Sequence, residues 1–373
     1  MTQPTASESG LAVRLPPEQR YADELARLAA ADGDPRPPGW KLSPRAVRRF
    51  IIGDEALQVS RKFYGDDPLV DRAIVTLMGH QGLMLVGEPG TAKSLLSELL
   101  AAAISGDSGL TVQGTAGTTE DHIKYSWNYA LLLAEGPSPR ALVPSPVYQA
   151  MHAGRIVRFE EITRCPPEIQ DVLISLMSDK QMMIPELSRS TEEGARLHAQ
   201  RGFNIIATAN LRDRGVHEMS SALKRRFNFE TVQPIRDHQF EVDLVMAQLR
   251  RELAGCEARV DVPRDVVALL VTTFQELRAG QTKEGTAIKG LDAVMSTAEA
   301  VNVAYAAALQ ARHFNDGRLT AREIAGQLQG VVLKDSLDDV KRVHHYFDTV
   351  VRERGRRDAQ WKAFHEAARA LWQ

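Results

Sequence analysis

The sequence predicts an α/β fold, a parallel sheet covered by helices, followed by an all-helical C-terminal part. Three observations predict it. An apolar run at residues 83–86 leads through a glycine-containing loop into an apolar helical pattern that begins at Leu95. From there to about residue 236, strand-like and helix-like stretches alternate, which is the rhythm of a parallel sheet with helical crossovers. Beyond about residue 237 strand signals nearly vanish, and apolar residues recur at helical spacing. The expected division is a partly disordered helical segment over 1–60, an α/β domain over 61–236, and a helical domain with a terminal extension over 237–373.

The loop after the first strand reads Gly87-Glu88-Pro89-Gly90-Thr91-Ala92-Lys93-Ser94. Strand, glycine loop and helix together make the context in which a phosphate-binding loop works. Backbone N–H groups and the helix N-terminus converge on anionic oxygens. Gly87 and Gly90 let the backbone approach phosphates without a Cβ in the way. Lys93 would neutralise β/γ-phosphate charge, and the Ser94 hydroxyl would sit on Mg²⁺. The residue before the lysine is usually glycine and here is Ala92, at the helix start.

Composition excludes several classes. Of 373 residues, 43% are hydrophobic and 25% charged, as in ordinary globular proteins. Lys+Arg (46) nearly balances Asp+Glu (48), so no global basic excess points to nucleic acid or an anionic membrane. Cys165 and Cys256 have no metal-type spacing and read as thiols in a reducing compartment. No apolar run spans a membrane and the N-terminus is not a signal peptide, so a cytoplasmic protein is expected.

Taken in order, the first dozen residues are expected to be disordered. Helices are predicted over 21–31, 43–52 and 68–79; the basic stripe Arg45, Arg48, Arg49 on the second of these reads as a solvated face or as a contact to a nucleotide or a neighbouring subunit. A helix over 93–104, a short strand over 110–113 and a loop of small residues over 114–119 follow. Residues 121–133, with Tyr125, Trp127 and Tyr129, read as a strand or a partner-touching loop, and local core packing explains the aromatics equally well. Ser145 caps a helix over 146–152 that Gly154 ends.

Residues 156–161, Ile-Val-Arg-Phe-Glu-Glu, form a strand that delivers two carboxylates at its C-terminal end, where open parallel sheets bind ligands. Neighbouring strand residues point to opposite sides. Glu160 would therefore hold Mg²⁺, directly or through water, and Glu161 would face the γ-phosphate and polarise the attacking water. Arg158 inside this strand is costly unless paired, and the sequence reading gives no account of it. A helix over 166–177 and a short strand over 182–184 come next. The polar segment 185–201 reads as a projecting hairpin or loop. The apolar strand 203–209 ends at Asn210, suited to the attacking water or γ-phosphate, or to turn chemistry. A short helix over 220–227 ends Lys224-Arg225-Arg226-Phe227; basic residues there suit the helix C-terminus or present an arginine to a neighbouring subunit. Further helices are expected over 239–253, 265–278, 291–311, 320–333, 336–353 and 359–371.

The order of phosphate loop, acidic strand end, strand ending in Asn and Leu-Lys-Arg-Arg-Phe resembles the AAA+ ATPases, and within them the MoxR-like group, over roughly residues 66–333. The loop looks like that group's Walker A, with residues 87–95 (Gly87, Glu88, Pro89, Gly90, Thr91, Ala92, Lys93, Ser94, Leu95) on the nucleotide. Glu160-Glu161-Ile162-Thr163-Arg164 looks like its Walker B, with Glu where the family usually has Asp. Ala207-Thr208-Ala209-Asn210 looks like sensor 1. Arg225-Arg226-Phe227 looks like the arginine-finger pair, which makes Arg226 the candidate finger. A sensor 2 arginine has no clear match; residues 286–292 offer only Lys289. The resemblance implies an AAA+ P-loop core with a helical lid, ATP and Mg²⁺ as cofactors, and a ring, a hexamer, with Lys93, Glu161, Asn210 and a neighbour's Arg226 catalytic. It implies chaperone-like remodelling of a partner protein, one with a von Willebrand A-type domain being typical, with nucleic acid not expected. A nucleic-acid-dependent motor and a nucleotide-gated scaffold with little hydrolysis are the alternatives.

Overall fold

The computed structural model describes residues 13–189, 196–210, 216–255, 259–291, 295–332 and 336–371. The first dozen residues, part of the 185–201 segment, Cys256, Asp292 and Leu333 lie outside them. The chain forms two compact units, one of residues 1–87 with 92–232, the other of 233–373 together with the four loop residues 88–91.

The first unit is an α/β domain, as the alternation predicts. Its helices are α1 Pro17–Arg20, α2 Ala22–Ala31, α3 Pro44–Ile52, α4 Asp67–Met78, α5 Lys93–Ser105, α6 Glu120–Ile123, α7 Tyr129–Glu135, α8 Pro146–Ala153, α9 Pro167–Asp179 and α10 Ser221–Lys224. Its strands are β1 Gly82–Val86, β2 Thr111–Gln113, β3 Tyr125–Trp127, β4 Leu142–Pro144, β5 Ile156–Glu160, β6 Gln181–Met183, β7 Arg196–His198, β8 Asn204–Ala209 and β9 Phe227–Thr231. Five of these make a parallel sheet in the order β2-β5-β8-β1-β9, while β3-β4 and β6-β7 form antiparallel hairpins.

Alternation along β1 explains the layering. Leu83 and Leu85 enter one core with Val47, Phe50 and Leu99, while Met84 and Val86 enter another with Val157, Phe159 and Leu173. β1, β5 and β8 are buried along their whole length, as expected of strands covered on both faces.

Two segments differ from the sequence reading. Residues 121–133 are neither one strand nor a loop: α6, β3 and α7 share them, with Asn128 capping α7 through its side chain. None of α7 is buried, and Tyr129 and Leu133 stand exposed. The short helix α10 ends at Lys224, and Phe227 begins β9, whose outer position in the sheet lets Asn228 and Phe229 alternate without a continuous apolar run.

The second unit is helical, with α11 His238–Gly255, α12 Arg264–Ala279, α13 Thr297–Phe314, α14 Ala321–Val332, α15 Leu337–Tyr346, α16 Arg352–Arg354 and α17 Ala359–Leu371. The helix predicted over 336–353 is interrupted by a π-helical turn at Phe347–Val351, a form usually confined to single turns. Beside it Glu276 is buried. The Tyr346 hydroxyl donates to it at 2.6 Å, Arg354 at 2.6 and 3.0 Å, and the Lys283 backbone N–H at 2.8 Å. Arg354 also lies over the Trp361 ring and reaches Glu284. Burial, reinforced by the adjacent Glu276 carboxylate, holds the Tyr346 hydroxyl well above its ordinary pKa. Among the described residues no helix is long and apolar enough to cross a membrane.

Candidate functional site

A parallel sheet delivers every strand's C-terminus to the same edge. The loop at 87–94 follows β1, Glu160 and Glu161 end β5, and Asn210 follows β8. Because β1 pairs with β8 and β8 with β5, the three sets meet at that edge.

In the loop, Lys93 is the first residue of α5, and its ammonium donates to the Gly87 carbonyl at 3.1 Å. Thr91 Oγ1 donates to the Glu88 carbonyl at 2.9 Å. Gly90 (φ +74°) and Ala92 (φ +66°) both take the left-handed backbone. A Cβ in that conformation costs about 1–2 kcal/mol, so Ala92 sits where glycine would be relaxed. Leu95, in the first turn of α5, is partly exposed.

Glu160 is buried among four side-chain donors. Oε2 accepts from Ser94 Oγ at 2.8 Å and Thr208 Oγ1 at 2.7 Å; Oε1 accepts from Ser97 Oγ at 2.7 Å and Arg158 Nη2 at 2.7 Å. Burial pushes this carboxyl up, but the Arg158 charge and the three hydroxyl donors outweigh it and hold the group below its ordinary pKa. The paired hydroxyl and carboxylate are hard oxygen donors, the set a magnesium ion takes.

Glu161 lies just past the end of β5, and its backbone is left-handed (φ 55°). A non-glycine residue in that region is sparsely populated and clusters at functional sites. Its N–H donates to Thr208 Oγ1 at 3.0 Å, and Asn210 Nδ2 donates to its Oε1 at 2.8 Å. Arg164 Nε lies 3.7 Å from Oε2. The Asn210 Oδ1 atom is buried and has no hydrogen-bond partner among the described residues.

Sequence reasoning assigned no role to four residues here. Thr208 bridges the two acids, Ser97 and Arg158 hold Glu160, and Gly114 packs beneath both. Strand periodicity held the signal for Arg158, because residues two apart share a face. Gly114 N–H donates to the Glu160 carbonyl at 2.7 Å. A Cβ on Gly114 would lie 2.3 Å from the Glu161 carbonyl oxygen and 2.9 Å from that of Glu160. These are backbone atoms that no rotamer change relieves. Gly114→Ala is therefore expected to displace Glu161 and lower steady-state phosphate release at least tenfold, since misplacement by about 1 Å costs up to 10²-fold; a rate within twofold of the parent protein would contradict this.

Arg226 stands apart. Its carbonyl accepts from the Gly82 N–H at the start of β1, whereas Gly87 follows the strand's end. The two are separated by a five-residue strand, about 16 Å at ~3.3 Å per residue. Its guanidinium donates to Ser178 Oγ and to the Ala222 carbonyl, both at 3.0 Å, and Arg225 beside it is exposed.

Residues 82–227 match the AAA domain (dynein-related subfamily), and residues 239–372 match the YehL-like AAA+ ATPase C-terminal domain. YehL of Escherichia coli K12 is 53% identical over 358 residues, 96% of this chain and 97% of YehL. Among solved structures, the ADP complex of NtrX from Brucella abortus aligns with a TM-score of 0.47 at 16% identity, over 82% of this chain and 64% of that one. The RuvB Holliday junction branch migration motor of Thermotoga maritima aligns with a TM-score of 0.43 at 11% identity, over 73% and 72%. Domain matches over residues 82–227 and 239–372 and a relative 53% identical over 96% of the chain place it: the chain belongs to the YehL-like family of AAA+ ATPases.

Proposed function

We propose that the protein is a MoxR-like AAA+ ATPase of the cytoplasm that hydrolyses ATP·Mg²⁺ in a ring, a hexamer, to remodel a partner protein in a chaperone-like way. The observation that carries this is the convergence of Lys93, Ser94, Glu160, Glu161 and Asn210 at one sheet edge. The three-part division at about residues 60 and 236 goes with it: N-terminal segment, ATPase domain, helical lid with its extension.

Residues 87–95 bind the triphosphate, and Lys93 leaves the Gly87 carbonyl for the β/γ-phosphates. Ser94 and, through water, Glu160 would hold a magnesium ion, whose charge would offset that of the phosphates. Glu161 and the Asn210 Oδ1 acceptor each take one hydrogen from the same water; the Asn210 amide N–H fixes the carboxylate toward it, so the base is oriented before the water arrives. Arg226 serves the neighbour's γ-phosphate. Its position at the opposite edge from its own loop supports action between subunits, and a head-to-tail contact of that kind repeats into a ring. The exposed apolar helix α7 suits contact with a protein substrate, in keeping with a von Willebrand A-type partner; charge balance gives nucleic acid no comparable footing.

The test is the ATPase rate per subunit against protein concentration, with and without DNA. The rate is expected to rise with concentration and saturate, unchanged by DNA. A concentration-independent rate would sink the shared site, DNA stimulation would favour a nucleic-acid motor, and tight ATP binding without turnover would favour a scaffold.

A further inference from the structure

Arg158 takes no part in the chemistry assigned above, yet it binds the parts of the metal-facing site to one another. It lies buried in the middle of β5, with a strand on either side. Its Nη2 donates to Glu160 Oε1 at 2.7 Å, and its Nε to Ser97 Oγ at 2.9 Å. Nη1 donates to the Ser108 carbonyl at 3.0 Å and to Thr111 Oγ1 at 3.3 Å, and Nη2 reaches the Ser94 carbonyl at 3.4 Å. One planar fork thus joins the first turn of α5, the start of β2 and the acid at the end of its own strand. A lysine, with one point charge on a flexible stem, does not reproduce that span.

The acid it grips is a glutamate, one methylene longer than the aspartate that resembling Walker B strands carry. A longer side chain has more rotamers to lose and reaches further from the strand. The geometry points to Arg158 as a positioning residue: it draws Oε1 back toward α5, so that Oε2 is left facing the Ser94 hydroxyl and the pair is set for a hydrated magnesium ion. With Arg158 and Ser97 on Oε1 and Thr208 and Ser94 on Oε2, the acid's acceptor sites are filled. Magnesium dehydrates reluctantly and keeps several waters, so a carboxylate held this way works on the ion through its water shell and through Ser94. This rests on the reading of Ser94 and Glu160 as the magnesium-facing pair.

The experiment measures the affinity of a fluorescent ATP analogue as magnesium is titrated, and separately in EDTA. Outer partners of metal ligands are worth roughly 10–100-fold in metal affinity. Arg158→Met is expected to raise the magnesium concentration at half-effect at least tenfold, with affinity in EDTA within twofold of the parent. Arg158→Lys, which keeps the charge and loses the span, is expected to be intermediate and serves if the Met variant does not fold. In a Glu160→Gln background, Arg158→Met is expected to add less than twofold, because it acts through that acid. A lysine variant indistinguishable from the parent would overturn the proposal, as would equal losses with and without magnesium, or a full additional loss in the Glu160→Gln background. If Glu160→Gln alone leaves the magnesium titration unmoved, the fault lies instead with the metal reading on which the proposal stands.

Discussion

Glu161→Gln is expected to lower ATP turnover by about 10²–10⁴-fold, the range a positioned general base contributes, while ATP stays bound. Glutamine keeps the length of the side chain and an oxygen that can accept from Asn210 Nδ2, so the 2.8 Å hydrogen bond survives. What is lost is the capacity to take the water's proton. The left-handed backbone at residue 161 is untouched, as is Thr208, which receives that residue's N–H. Single-turnover hydrolysis and equilibrium nucleotide binding, measured on the same preparation, separate the effects. A variant that hydrolyses ATP at the parent rate would remove Glu161 from the chemistry. One that fails to bind would show that the acid matters for the pocket's shape.

Arg226→Ala is expected to reduce turnover by about 10³-fold or more, the scale on which an arginine finger works, and the loss should be recoverable by mixing. Arg226 and Gly87 lie at opposite ends of β1, which would keep this arginine from a nucleotide on its own loop. An Arg226→Ala subunit therefore retains an intact loop and base, and a Glu161→Gln subunit retains an intact finger. Mixed assemblies of the two should regain part of the parent activity where a finger meets a base. Additive inactivity at every mixing ratio would exclude action between subunits. In the free chain the guanidinium rests on Ser178 and Ala222, so engagement exchanges two local hydrogen bonds for a charge-assisted contact with phosphate.

How much of this was legible in the sequence depended on the range of the interactions. The loop at 87–94 announces itself because its function is carried by consecutive backbone groups. The apolar runs ending at Val86, Glu160 and Asn210 gave three strands and their common edge, since both-face burial leaves a continuous hydrophobic signature. β9 went unread because Asn228 and Glu230 break its run, and its pairing with β1 joins residues some 145 apart in sequence. Gly114 looked like one of several small loop residues; only folding brings it under the carbonyls of Glu160 and Glu161. Arg158 was visible as an anomaly and not as an answer, because Ser97, Ser108 and Thr111 come from other elements. Helix α7, rich in leucine with no polar face, offered no periodicity from which to call a helix.

The acid at 276 bears on how the helical unit tolerates substitution. Its carboxylate is satisfied by groups from three separate places, Tyr346, Arg354 and the Lys283 backbone. Losing one donor strands a buried charge, whereas exchanging the whole set for apolar residues of similar volume can be neutral. Single steps away from the present arrangement are thus steep and a concerted step is shallow: changing 276, 346 or 354 alone is expected to cost more stability than exchanging all three together.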